Sequence, residues 1–188
     1  VVRIGNEVIY IDFQQPDGTF VQQFFNIPVQ SPPSWSICAG DLDNNSFNDL
    51  LFADSATVSF VKAGENGSFY TETVMPGNIF CQRSTLADID NDGWLDGFVC
   101  NDDDQSIPYR NDGAGNMSPD QNLILTADLP GNYAAIWTDY DNDGDLDIFH
   151  TGWQSPGSVV AQLYSNSDCG QGTTYPLTVY RAGTGQGS

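Results

Sequence analysis

The sequence predicts an all-β chain built from repeated units of four short antiparallel strands. Three observations carry this. An acidic segment recurs as "DLDNNSFND" at 41–49, "DIDNDGWLD" at 88–96 and "DYDNDGDLD" at 139–147, with starts 47 and 51 residues apart. A turn segment runs between them as "PDGTF" at 16–20, "ENGSF" at 65–69 and "NDGAGNM" at 111–117; its Gly18, Gly67 and Gly115 are 49 and 48 residues apart. The apolar runs around both markers are short, which suits strands and leaves no amphipathic helix. Two markers with a common period of this size, and room for about four strands in each, match one blade of a β-propeller.

Taken in order, residues 1–30 alternate as "VVRIGNEVIYIDF" and then turn at "PDGTF". They carry no acidic loop and read as the second half of a blade. Residues 31–79 form a blade in which "SWSICAG" leads into loop 41–49 and "LLFAD" leaves it. Residues 80–127 repeat this with "RSTLA", loop 88–96 and "GFVCND", and residues 128–188 with "NYAAIW", loop 139–147 and "IFHTG". In the turn segments glycine supplies the positive φ of a tight hairpin. The sum is about three and a half blades, whereas closed propellers use roughly 4–8. Open blades leave unpaired strand edges that attract another chain. The expected partners are copies of the chain joined head to tail in a ring or fibre, or the remainder of a larger propeller.

Composition narrows the function. The chain has 188 residues, with 25 Asp+Glu against 5 Lys+Arg and a formal charge of −20. Such a surface excludes a nucleic-acid backbone as partner and disfavours an anionic membrane. No apolar run approaches the ~20 residues of a membrane-spanning helix, so membrane insertion is not expected. The first residues read as a strand and not as a signal peptide, and no Met begins the chain, which suggests a processed chain or a fragment.

Each acidic loop gathers hard oxygen donors. Positions 1, 3 and 5 are Asp41, Asp43 and Asn45; Asp88, Asp90 and Asp92; and Asp139, Asp141 and Asp143. Position 9 is Asp49, Asp96 or Asp147, and position 7, Phe47, Trp94 or Asp145, offers a backbone carbonyl. Ca²⁺ takes 6–8 such oxygens, while Mg²⁺ keeps more of its water. A bound cation also removes the repulsion between clustered carboxylates. Gly93 and Gly144 supply a sharp turn at position 6, where the first loop has Ser46. Two full calcium sites and a weaker first one are therefore expected. An EF-hand is rejected, because it needs a Glu at position 12 and flanking helices. Here position 12 is Phe52, Val99 or His150.

The pattern D-x-D-x-D-G-x-x-D followed by an apolar strand, and some 20 residues on by a hairpin such as "YRNDGAGNM" at 109–117, resembles the FG-GAP/VCBS repeat family. That family forms calcium-binding propeller blades in integrin α-subunit heads, some fungal lectins and secreted bacterial proteins. The resemblance implies that each loop joins the first two strands of a blade and that its calcium is structural. The second and third loops match throughout, and the first departs at Asn45 and Ser46.

The remaining residues point away from catalysis. The one histidine, His150, has no nucleophile motif beside it and reads as packed. The acids of "NDDDQ" at 101–105 read as a solvated loop, although carboxylate-based hydrolysis through Asp102–Asp104 is an alternative. Trp35, Trp94, Trp137 and Trp153 read as filler between blades, with stacking on glycans as the alternative. Cys38, Cys81, Cys100 and Cys169 lack zinc spacing. They suit two disulfides in an oxidising compartment, with buried free thiols as the alternative; Cys81–Cys100 is the favoured pair because the two flank one acidic hairpin. Asn66 and Asn116 are glycosylation candidates on hairpins. Together these features predict a non-enzymatic, calcium-binding, extracellular structural or adhesive protein. A glycan-binding lectin is the runner-up.

Overall fold

A computed structural model of the chain describes residues 1–75, 77, 79–124, 130–154, 158–164 and 180–181. The described residues form four antiparallel sheets, each threaded in sequence order. The first sheet holds β1 (Val2–Ile4), β2 (Val8–Gln14) and β3 (Phe20–Asn26). The second holds β4 (Ser36–Gly40), β5 (Asp49–Ala53), β6 (Val58–Ala63) and β7 (Tyr70–Met75). The third holds β8 (Ser84–Ala87), β9 (Asp96–Val99), β10 (Ile107–Asn111) and β11 (Met117–Pro119). The fourth holds β12 (Asn132–Thr138), β13 (Asp147–Gln154), β14 (Ser158–Tyr164) and β15 (Tyr180–Arg181). This is the propeller-type architecture that the repeat predicts. The first strands of neighbouring sheets, β4 with β8 and β8 with β12, lie beside each other.

One expectation changes. The first sheet has three strands where half a blade would have two. Its β2–β3 hairpin corresponds to the last hairpin of the other sheets, and Val2–Ile4 adds one more strand through the pairs Val2↔Ile11 and Ile4↔Ile9. The alternation of the first residues is thus divided between two strands, β1 and β2, paired antiparallel.

Strand periodicity explains how the sheets stack. Side chains along a strand alternate between faces. In β5, Leu50 and Phe52 enter the core shared with the first sheet, beside Ile9 and Ile11. Leu51 and Ala53 enter the core shared with the third sheet, beside Val99 and Tyr109. In β9, Val99 faces the second sheet, and Phe98 joins Ile148 and Ala135 of the fourth. Apart from the buried Asp49 and Asp96 at their starts, both faces of β5 and β9 are therefore apolar, and both strands are buried throughout. Gly97 marks a close approach: a Cβ there would lie 3.1 Å from the Phe60 ring of the neighbouring sheet.

The two end sheets differ. Phe24 on the outer face of the first sheet is 65% exposed, opposite Tyr10, and Phe20 is 57% exposed. On the outer face of the fourth sheet, the paired Ile136 and Phe149 are 58% and 38% exposed. Among the described residues, no helix is long and apolar enough to cross a membrane.

Candidate metal centres

The three acidic segments are the connections β4–β5, β8–β9 and β12–β13, so each joins the first two strands of its sheet. One hydrogen-bond pattern builds all three. The position-1 carboxylate caps the turn: Asp41 accepts from the Asn45 and Ser46 N–H groups at 3.0 and 2.7 Å, Asp88 from Asp92 and Gly93 at 3.0 and 2.9 Å, and Asp139 from Asp143 and Gly144 at 3.1 and 3.2 Å. The position-5 side chain accepts from the N–H of position 7, from Phe47 to Asn45, Trp94 to Asp92 and Asp145 to Asp143.

The buried position-9 Asp closes each loop. Asp49, Asp96 and Asp147 accept the N–H of position 2, from Leu42, Ile89 and Tyr140 at 2.8, 3.2 and 2.7 Å. The third strand supplies a second donor, Ala63 N–H to Asp49 at 2.7 Å and Asn111 N–H to Asp96 at 2.8 Å. The acid that a cation would need is thereby also the peg that fastens its loop to the sheet.

Two positions of each loop share a left-handed backbone, position 6 and, without a glycine to mark it, position 4. Position 6 is left-handed in all three loops, with φ of 73° at Ser46, 92° at Gly93 and 98° at Gly144. Position 4 is left-handed too, at Asn44, Asn91 and Asn142, with φ of 55°, 59° and 63°. Asparagine tolerates this region better than most residues with a side chain. The signal was present as an Asn in the same place three times. Position 7 also has an unforeseen role: the Phe47 and Trp94 rings lie against Gly67 and Gly113, so loop and hairpin lock together in the second and third sheets.

The carboxylates of positions 1, 3 and 9 converge. Asp41, Asp43 and Asp49 each place an oxygen within 4.8 Å of the others, as do Asp88, Asp90 and Asp96, and Asp139, Asp141 and Asp147. Two atoms show that this geometry fits a cation. Oδ1 of Asp43 and Oδ1 of Asp90 are buried with no hydrogen-bond partner, which is costly for a carboxylate oxygen. Their other oxygens are engaged: Asp43 pairs with Lys62 at 3.3 Å and Asp90 with Arg110, which also binds Asp120 at 2.9 Å. One oxygen of each carboxylate is thus held while the other is buried without a partner. Burial, with the nearby Asp92 and Asp88 charges, pushes Asp96 up to about 6 against the hydrogen bonds from Asn111 and Ile89. Burial raises Asp49 in the same way. A hard divalent cation at each cluster would stabilise the ionised form that burial opposes.

The other candidate residues fall outside these centres. Cys38 and Cys81 are free thiols, which corrects the disulfide expectation. Cys81 lies in the core between the second and third sheets and Cys100 in the core between the third and fourth, so the Cys81–Cys100 pair is not formed. Burial pushes the Cys38 and Cys81 thiols up to about 11. Cys169 lies outside the described residues. His150 is buried with its ring 6.2 Å from Phe98. In "NDDDQ", buried Asn101 accepts from the Phe80 and Asp103 N–H groups, and Asp102 accepts from Gln82. Trp137 fills the gap between the third and fourth sheets, donating to Thr85 at 2.9 Å with its ring against Phe98. Trp35 is exposed beside Phe80, and the Trp153 side chain lies outside the described residues. Asn66 and Asn116 are exposed on their hairpins, with the Asn116 amide donating to Asp112 at 2.9 Å.

Sheets of this topology with an acidic loop between the first two strands define a propeller-type repeat with candidate calcium sites. The FG-GAP-like repeat family matches residues 41–99 and 88–150, more than half of the chain, and the chain belongs to that family. No curated protein and no solved structure matches it.

Proposed function

We propose that the chain is a non-enzymatic, calcium-binding structural or adhesive module of an extracellular protein, and that copies assemble head to tail. The observation that carries the calcium reading is the pair of buried Oδ1 atoms of Asp43 and Asp90, each without a partner inside a converging acid cluster. In each loop the carboxylates of positions 1, 3 and 9 would hold the ion. The ion would supply charge neutralisation, tying the first two strands of a sheet together. FG-GAP-like repeats typically occur in extracellular or surface proteins, which supports the location.

Assembly rests on the end sheets. Strands β5 and β9 of the inner sheets are buried throughout, while Phe20 and Phe24 at one end and Ile136 and Phe149 at the other remain exposed. Apolar patches of this kind mark interaction surfaces. The fitting occupant is a second copy, with the first sheet of one chain stacked on the fourth sheet of the next in the manner of the internal interfaces. Electron microscopy with sedimentation, in calcium and in EGTA, tests this. Rings or filaments that Phe24→Asp disperses are the expected result. Monomers in calcium at high concentration would refute assembly and leave further blades of a longer chain, or glycans at Trp35, as the occupants to examine.

A further inference from the structure

Asn111 occupies an unusual place. It lies on the third sheet, is 3% exposed, and touches the acidic loops of two different sheets. Its side-chain amide donates to the Leu42 carbonyl of the first loop at 2.8 Å and to the Leu95 carbonyl of the second at 2.9 Å. Its own N–H binds Asp96. Its Oδ1 accepts from the Gly113 and Gly115 N–H groups, both at 3.0 Å, which fixes the hairpin that carries it. All its hydrogen-bonding groups except the backbone carbonyl are thus used between these two loops and this hairpin.

The two carbonyls it grips sit at the ligands. Leu42 lies between Asp41 and Asp43, and its N–H donates to Asp49. Leu95 precedes Asp96. A second strut runs in parallel: Lys62 pairs with Asp43 and donates to the Ala114 carbonyl of the same hairpin. By contrast, the second and third loops meet through an exposed contact, Asn91 Nδ2 to Asp145 at 2.8 Å.

From this geometry we infer that Asn111 is a positioning residue that couples cation binding at the first and second loops. The inference rests on the calcium reading of those loops. A cation that orders the first loop fixes the Leu42 carbonyl and so the Asn111 amide, which presents Leu95 and Asp96 in their bound positions. The second cation then meets a loop already ordered, and linkage requires the reverse effect to be equal. Mutual electrostatic repulsion between the two cations acts against this and does not depend on Asn111.

Terbium titration of the full chain separates these contributions. Trp94 stands at position 7 of the second loop and sensitises terbium there; Asp141→Ala disables the third loop, which lies near Trp137. In that background, Asp43→Asn in the first loop is expected to weaken terbium at the second about fivefold or more, the lower end of ordinary allosteric coupling. With Asn111→Ala the second loop becomes insensitive to Asp43→Asn. Asn111→Ser, which keeps a hydroxyl near Gly113 and cannot span both carbonyls, gives the same result if the alanine variant fails to fold. An unchanged second-loop affinity in Asp43→Asn overturns the inference, as does a dependence that survives both Asn111 variants. Absence of any terbium or calcium binding to the unaltered chain would instead remove the calcium reading itself.

Discussion

The first and third acidic loops differ in opposite directions in sequence and in structure. The third, "DYDNDGDLD", has the full complement of acids and the glycine, yet its Asp139 and Asp141 are exposed. The first has an amide at Asn45 and a serine at position 6, yet its Asp41 and Asp43 are half-buried and Lys62 and Asn111 lean on it from two sheets. The hydrogen bonds inside the two loops follow one pattern. Ligand identity is therefore written in the loop, while burial is written in the neighbouring strands and hairpin. The two need not favour the same site.

Several changes would break or sharpen that contrast. The largest effect is expected from Asp49→Ala. It removes a ligand and strands two buried N–H groups, Leu42 and Ala63, each worth about 1–3 kcal/mol. A chemical denaturation curve should show a loss of several kcal/mol even in chelator, whereas Asp141→Ala on the exposed third loop should show a loss only in calcium. Chelation of the unaltered chain comes next. A site saturated at a hundredfold excess over Kd contributes about 2.7 kcal/mol, so EGTA should lower the melting temperature by several degrees.

The pH response is smaller and has a definite sign. Asp96 is raised in the folded chain from the ordinary 3.8 to about 6, by burial first. The folded state holds the extra proton, so metal-free stability falls as pH rises through this window and the penalty is complete above about 6. Asp120, held low chiefly by Arg110, acts below this window and with the opposite sign. The metal-free chain should therefore melt higher at pH 5 than at pH 7. Saturating calcium should reverse the order, because the cation needs ionised ligands. Asp96→Asn should flatten the metal-free difference. The smallest effect is expected at position 6. Ser46, at φ 73°, carries a strain that glycine relieves, so Ser46→Gly should stabilise the chain by about 1 kcal/mol, and Gly93→Ala should cost about as much.

Much of this was legible in the sequence because it is local and repeated. The Asp spacing, the position-6 glycines and the hairpin turns lie within single segments, and their recurrence fixed the sheet topology as well as the acid clusters. Asn44, Asn91 and Asn142 are equally repeated, and their left-handed backbone is less marked in sequence than a glycine because asparagine also serves in other conformations. What was not legible depends on contacts between sheets. Nothing near Asn111 in the chain points to Leu42, 69 residues away. Cys81 and Cys100 flank one loop but enter different cores, so closeness along the chain misled the pairing.

Calcium at the acidic loops would tie the first two strands of each sheet together. Calcium titration of the chelator-stripped chain by calorimetry, followed by melting of the same samples, tests it most directly. Saturable binding with a melting temperature that rises with occupancy is the predicted result. An absence of binding heat together with identical melting curves in calcium and in EGTA would contradict it.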